Sequence, residues 1–227
     1  MSNQMNENYD HLQTRIAAAC KRVDRSPDSV RLIVVTKTHP VETVQSVIDL
    51  GITDIGENRV QEIVHKEPHL TGEYTLHMVG HLQTNKVNKV LPHIRWIHSI
   101  DREKLVNAIE SAQKESSETI NALVQVNTSG ESSKYGCSPD KCLGLCERVC
   151  ASGALQFRGL MTIGPLGGGE AGARKSFEML RNLGEKCRGL TNSLELSMGM
   201  SDDFEWAIEE GATMIRVGSL LLGRRSQ

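Results

Sequence analysis

The chain has 227 residues with 26 Lys and Arg against 28 Asp and Glu, a formal charge of −2. That length supports one sizeable hydrophobic core, and α/β barrels commonly run this long as single domains. With 38% hydrophobic and 24% charged residues, the composition is that of a globular chain, neither disordered nor built around membrane spans. There is no basic surplus, so nucleic acid is not an implied partner, and no apolar run approaches the ~20 residues of a transmembrane helix. The N-terminal MSNQMNENYD lacks a basic segment followed by an apolar one, so a secretory leader is not expected and the cytoplasm is the expected address. The six cysteines are expected as reduced thiols.

Short β-branched apolar runs alternate with helix-period segments along the chain. A stretch around His11 to Val23 is amphipathic and helical. Leu32 to Thr36 reads as the first strand. Val41, Val44, Val47 and Ile48 then share one helical face, and Gly51 ends it. Ile52 to Ile55 is a second strand, followed by a polar helix from about Arg59. Leu76 to Val79 is a third, followed by a helix carrying Val87, Val90, Leu91 and Ile94. Trp96 to His98 is a fourth, with Asp101 expected to cap a helix bearing Leu105 and Ile109. Ile120 to Val126 is a fifth, and Ser138-Pro139 opens the next helix. Leu155 to Ile163 is a sixth, and a glycine-rich turn at Gly167 to Gly169 leads into a helix with Ala173, Phe177, Leu180 and Leu183. Leu194 to Leu196 is a brief seventh. Ser201-Asp202-Asp203 is expected to cap a helix with Phe204, Ala207 and Ile208. Met214 to Val217 is the eighth.

Eight strands alternating with helices predict a parallel sheet closed into a single-domain (β/α)8 TIM barrel spanning residues 1–227. An open doubly wound sheet is the competitor, but no G-x-G-x-x-G follows the first strand. Too few residues follow the last strand for a full eighth helix, so the helix before the first strand is expected to cover that face. No internal repeat and no dividing linker are present.

In such a barrel the site forms where strands end. Lys37 ends the first strand. A lysine in a partly desolvated barrel mouth has a lowered pKa and can form a Schiff base with a carbonyl. The plain alternative is a lysine that snorkels to solvent. Gly199 and Ser201 after strand seven, and Gly218 and Ser219 after strand eight, read as a phosphate site built from backbone amides and hydroxyls. The plain alternative there is a helix cap and a turn.

The segments IVVTK (Ile33 to Lys37), IGENRVQE (Ile55 to Glu62), HMVGHLQTNK (His77 to Lys86), HSID (His98 to Asp101), ESSKYG (Glu131 to Gly136), GLMTIGP (Gly159 to Pro165), LSMGMSDDFEWAI (Leu196 to Ile208) and IRVGSLLLG (Ile215 to Gly223) occur in this order. On these motifs, from about Arg31 to Gly223, the chain resembles the YggS-like pyridoxal phosphate homeostasis proteins, which are similar to the barrel domain of alanine racemases. The resemblance implies pyridoxal 5'-phosphate (PLP) as cofactor, held as an aldimine on Lys37. Ser201, Gly218 and Ser219 would hold its phosphate with Met200 nearby, and Arg216 would face the pyridine nitrogen. Asn58 and His81 would flank the ring. Lys134 falls where racemases place an arginine in a similar loop.

A permanently charged guanidinium at the ring nitrogen makes the ring a weak electron sink. The resemblance also implies that the C-terminal β domain of racemases, with its catalytic tyrosine, is absent here. No catalytic residue is therefore expected. The expected function is buffering or delivery of PLP, with an influence on amino-acid and keto-acid balance, by a monomer in transient contact with PLP-dependent apoenzymes. A low-activity amino-acid racemase is the alternative, and a cofactor-free Schiff-base aldolase is a third reading.

Cys142, Cys146 and Cys150 are spaced to share a helix face. Packing as small apolar groups is the plain reading, and a metal or redox role is the other. His77 and His81 lack a third ligand, so no metal site is expected. Trp96 and Trp206 are expected in packing, and Arg224-Arg225 in a solvated tail.

Overall fold

The computed structural model describes residues 2–114 and 118–223. Eight strands close into a barrel in sequence order: β1 (Arg31–Val35), β2 (Asp54–Glu57), β3 (Thr75–Met78), β4 (Trp96–Ile100), β5 (Ile120–Gln125), β6 (Leu155–Met161), β7 (Glu195–Ser197) and β8 (Met214–Val217). All neighbours are parallel, and β1 closes the ring on β8 with Ile33 opposite Arg216 and Val34 opposite Val217. The helices are α1 (Ser2–Arg22), α2 (Val41–Asp49), α3 (Val60–Lys66), α4 (Val87–Val90), α5 (Glu103–Ala112), α6 (Cys142–Cys150), α7 (Gly169–Cys187), α8 (Phe204–Glu209) and α9 (Ser219–Leu222). The expected (β/α)8 barrel is the observed one.

Two apolar layers hold it together. The larger lies between strands and helices, where Val44, Val47, Ile63, Ile109, Phe177 and Phe204 pack on the outward faces of the strands. Each such fully buried side chain contributes on the order of 1.5–3 kcal/mol. The smaller fills the barrel with Ile33, Val79, Trp96, Leu123, Met161 and Met214. Trp96 is buried as packing, with the Arg31 and Arg158 guanidinium carbons 5.3 and 5.9 Å from its ring centre.

The helix before β1 does cover the face beside β8, and it begins at Ser2 rather than near His11. Leu12, Ile16, Ala19 and Cys20 are its buried stripe. Arg15 forks onto Glu205 of α8 at 3.1 and 2.9 Å, and Asn8 donates to the Leu221 carbonyl of α9 at 3.0 Å.

Some local expectations fail for definable reasons. The helix expected to carry Val87 through Ile94 is cut to Val87–Val90, because Pro92 has no amide to donate into it. Asp101 does not cap α5, whose cap residue is Arg102; it pairs instead with Arg102 and, at 3.3 Å, with His81 Nδ1. Of the expected Ser201-Asp202-Asp203 cap, Asp203 takes the cap position of α8, without a side-chain hydrogen bond to its first amides, and Ser201 does not cap the helix. Among the described residues, no helix is long and apolar enough to cross a membrane. Arg224-Arg225 lies outside the described residues.

Candidate functional site

A cavity of about 690 Å³ opens at the C-terminal ends of the strands. Lys37, Asn58, His81, Met200, Ser201, Arg216, Gly218 and Ser219 all line it, while Gly199 sits behind the Met200 turn without lining it. His39, Gln125, Tyr135 and Ile163 line it as well, and sequence reasoning missed them. Gln125 could have been found as the interior-facing polar residue ending the fifth run.

The turn carrying Lys37 is held from below by buried charge. Thr36 Oγ1 donates to Glu57 Oε1 at 2.6 Å, and Lys66 Nζ reaches Glu57 Oε1, Glu62 Oε2 and the Thr36 carbonyl at 2.6, 2.8 and 3.0 Å. Glu62 also accepts the amide of Thr38. Thr38 has φ +64°, a left-handed conformation that costs a threonine energy. That amide bond offsets the cost and fixes where the chain turns after Lys37. The GENRVQE segment thereby acquires a local reason, since Glu57 and Glu62 brace the turn while Asn58 faces the cavity. Burial pushes the Glu57 carboxyl up, against the opposing pull of Lys66 and Thr36. Lys37 itself is exposed in the open mouth.

The ends of β7 and β8 form the other wall. Gly199 has φ +89°, and a Cβ there would lie 2.5 Å from the Ala207 Cβ. A Cβ on Gly218 would lie 2.8 Å from the Val35 carbonyl oxygen. The first approach seats the Met200-Ser201 turn against α8, and the second seats the Gly218-Ser219 turn against the end of β1. The Gly218 amide donates to Ser201 Oγ at 3.4 Å. Asp203 accepts the Met200 amide at 2.6 Å, closing the turn.

Arg216 projects into the barrel from β8 and reaches the cavity floor. Its Nη1 donates to Ser197 Oγ at 2.6 Å and its Nη2 to the Thr162 carbonyl at 2.8 Å. Burial lowers this guanidinium to about 10, opposed by Asp203, so it stays charged at neutral pH. Behind it runs a buried chain of hydrogen bonds. Ser197 Oγ lies 3.0 Å from His98 Nδ1, His98 Nε2 lies 3.0 Å from His77 Nδ1, and His77 Nε2 lies 2.9 Å from Asp54 Oδ1.

The two ends of this chain fix its hydrogens. Arg216 can only donate, and an ionised Asp54 can only accept. Ser197 must therefore donate to His98, and both histidines must carry their proton on Nε2. Burial lowers His98 well below its usual value, helped by His77, Arg216 and Arg31. Burial also lowers His77, against the pull of Asp54. Burial lifts Asp54, but His77, Thr53 and Arg31 outweigh it and bring the carboxyl below its ordinary value. Both rings are thus neutral at pH 7.

His81 stacks on Tyr135 with centroids 3.9 Å apart and 15° between planes, forming a side wall. Lys134 does not line the cavity. It is tied to Glu131 at 2.9 Å and to the Gly164 carbonyl at 2.5 Å.

The residues present fit a phosphorylated aldehyde. The mouth offers a lysine amine, and the adjacent wall offers two serine hydroxyls beside a glycine with no room for a Cβ. The floor offers a fixed cation. That donor set matches the PLP expected from the sequence.

A family model described as the N-terminal domain of alanine racemase matches residues 8–226. The pyridoxal phosphate homeostasis protein of Pseudomonas aeruginosa is 38% identical over 221 residues, covering 96% of this chain and 95% of that protein. The Bos taurus protein of the same name is 39% identical, covering 93% of this chain and 84% of its own. PipY of Synechococcus elongatus, solved with PLP bound, superposes with a TM-score of 0.81 at 34% identity, over 92% of this chain and all of that one. From its motifs, its closed barrel and these relatives, the chain belongs to the alanine racemase N-terminal domain family, within the group of pyridoxal phosphate homeostasis proteins.

Proposed function

We propose that this chain binds PLP covalently at the Lys37 Nζ and serves as a buffer or carrier for it. The observation that carries the reading is the convergence of Lys37, Arg216, Ser201, Gly218 and Ser219 on one cavity. When bound, PLP supplies an aldehyde that condenses with an amine and a ring that accepts electrons.

The protein's own residues then have separable tasks. Ser201 and Ser219 would donate hydroxyl hydrogens to the phosphate beside the Gly218 backbone. Arg216 would present N–H toward the ring nitrogen, and the Ser197–His98–His77–Asp54 chain keeps the guanidinium oriented. Such a partner cannot be shared with a second proton, which weakens the ring as an electron sink and supports a non-catalytic role. Asn58 and the His81–Tyr135 stack would flank the ring, with Met200 beside the phosphate.

Exposure of Lys37 in an open mouth suits handover, because an incoming amine can reach the linkage without the barrel opening. A monomer in transient contact with PLP-dependent apoenzymes in the cytoplasm fits this use. The test is the visible spectrum of purified protein with added PLP, beside Lys37→Ala. The expected result is an imine band in the parent and none in the variant. A band of equal strength in both would remove Lys37 from its role.

A further inference from the structure

One cluster lies away from this cavity, on the outer wall of the barrel. Cys142 and Cys146 stand one turn apart on α6, and Cys187 is the last residue of α7. All three are fully or almost fully buried, and their sulfur atoms lie within 4.8 Å of one another, with Cys146 and Cys187 at 3.7 Å. Cys137, at the start of the loop before α6, lies in thiol hydrogen-bond contact with Cys142. The exposed Cys150 sits at the solvent end of the same helix, against the Leu190 carbonyl. The face expected from sequence is therefore changed at one position, since Cys187 of the next helix replaces Cys150 in the buried group.

The geometry decides between uses of these thiols. Residues i and i+4 on a helix keep their Cβ atoms about 5–6 Å apart, too far for the ~3.8 Å of a disulfide. Cys142 and Cys146 therefore cannot bridge each other, but they can share an ion. A trigonal centre with metal–sulfur bonds of ~2.3 Å needs its sulfurs about 4 Å apart. The Cys146–Cys187 separation of 3.7 Å lies close to that value and all pairs lie within 4.8 Å, so closure needs only small side-chain shifts. The group is all sulfur, with no carboxylate or imidazole among its members, which selects against calcium and magnesium and for soft closed-shell ions.

We propose that Cys142, Cys146 and Cys187 form a buried three-thiolate site for a thiophilic closed-shell cation, Cu(I) or Zn(II), clamping α6 to α7. Binding converts three thiols to thiolates and releases three protons to solvent, with no change of oxidation state. Cys150 is the exposed sulfur at the entry side and is not a ligand. The site is independent of the PLP cavity, so either assignment can fail without the other.

The test uses the full-length, reduced protein under anaerobic conditions, titrated with Cu(I) and separately with Zn(II) against a chromophoric chelator. The expected result is one ion per chain for at least one metal, and competition between the two identifies it. X-ray absorption of the loaded wild-type protein should count three sulfur neighbours. Cys146→Ala and Cys187→Ala should each weaken binding by more than ~100-fold, beyond the effect of losing an outer partner, while Cys150→Ala binds as the parent does. Far-ultraviolet circular dichroism and the thermal unfolding midpoint of each metal-free variant, close to those of the parent, report that the fold is kept. Three results would overturn the site: no stoichiometric uptake of either ion, a shell of oxygen or nitrogen neighbours, or binding that survives loss of both Cys146 and Cys187.

Discussion

His77 and His98 carry a pH dependence that can be worked out from their surroundings. Burial lowers both in the folded protein, so each binds a proton more readily when unfolded. Between pH 6.5 and the folded values, the unfolded state holds more protons, and stability rises with pH there. Their contribution is complete above about pH 6.5 and is lost as the pH falls below it. Two such groups give a slope of up to about 2.7 kcal/mol per pH unit. Chemical denaturation across pH 5 to 8 should show this loss on the acid side, with a shallower slope in His98→Asn. A pH-independent midpoint would contradict the neutral buried pair. Long-range proton–nitrogen NMR should find both rings protonated on Nε2, the arrangement dictated by Arg216 and Asp54.

Lys66 makes a second prediction at this scale. Its ammonium is the cation that compensates the buried Glu57 carboxylate and draws in Glu62. Removing it leaves the buried Glu57 carboxyl with only the Thr36 hydroxyl as partner, beside the acidic Glu62. Lys66→Met should therefore cost about 3–5 kcal/mol, and adding Glu57→Gln should recover a substantial part of that loss. Equal stability of single and double variants would mean that the two charges are not coupled.

Among the elements, the turn after β7 depends most on one residue. Gly199→Ala must place a methyl 2.5 Å from the Ala207 Cβ at a φ of +89°. It should lose about 1–3 kcal/mol and weaken PLP binding by displacing Met200 and Ser201. Gly144→Ala, in the exposed middle of α6 with nothing within 4 Å of the new methyl, should instead gain about 0.5–1 kcal/mol. Thermal unfolding of the pair separates a required glycine from a tolerated one.

The elements also show what the sequence made legible. Alternating runs and glycine stops exposed the eight strand–helix units, strand ends pointed to Lys37 and to the turns after strands seven and eight without any register, and the family resemblance added Arg216. The histidine chain was not legible. His98 and Ser197 are 99 positions apart, and their contact follows from barrel closure rather than from any local pattern. Cys187 escaped for the same reason, because its partners lie across a helix–helix contact. Asp101 and Ser201 were misread as caps because a polar residue before a helix has more than one use. Here they face His81 and Gly218.

For the molecule as a whole, the barrel gathers residues from seven of its eight strand ends into one mouth, while α1 covers the flank beside β8. A lysine braced from below by a buried ion-pair network and left open above is suited to holding a reactive aldehyde reversibly. The most direct measurement is borohydride reduction of the PLP-loaded protein followed by peptide mass mapping. The account predicts a pyridoxyl phosphate adduct on the peptide containing Lys37, at about one per chain. An adduct located on Lys134 or spread over surface lysines, with Lys37 unmodified, would contradict it.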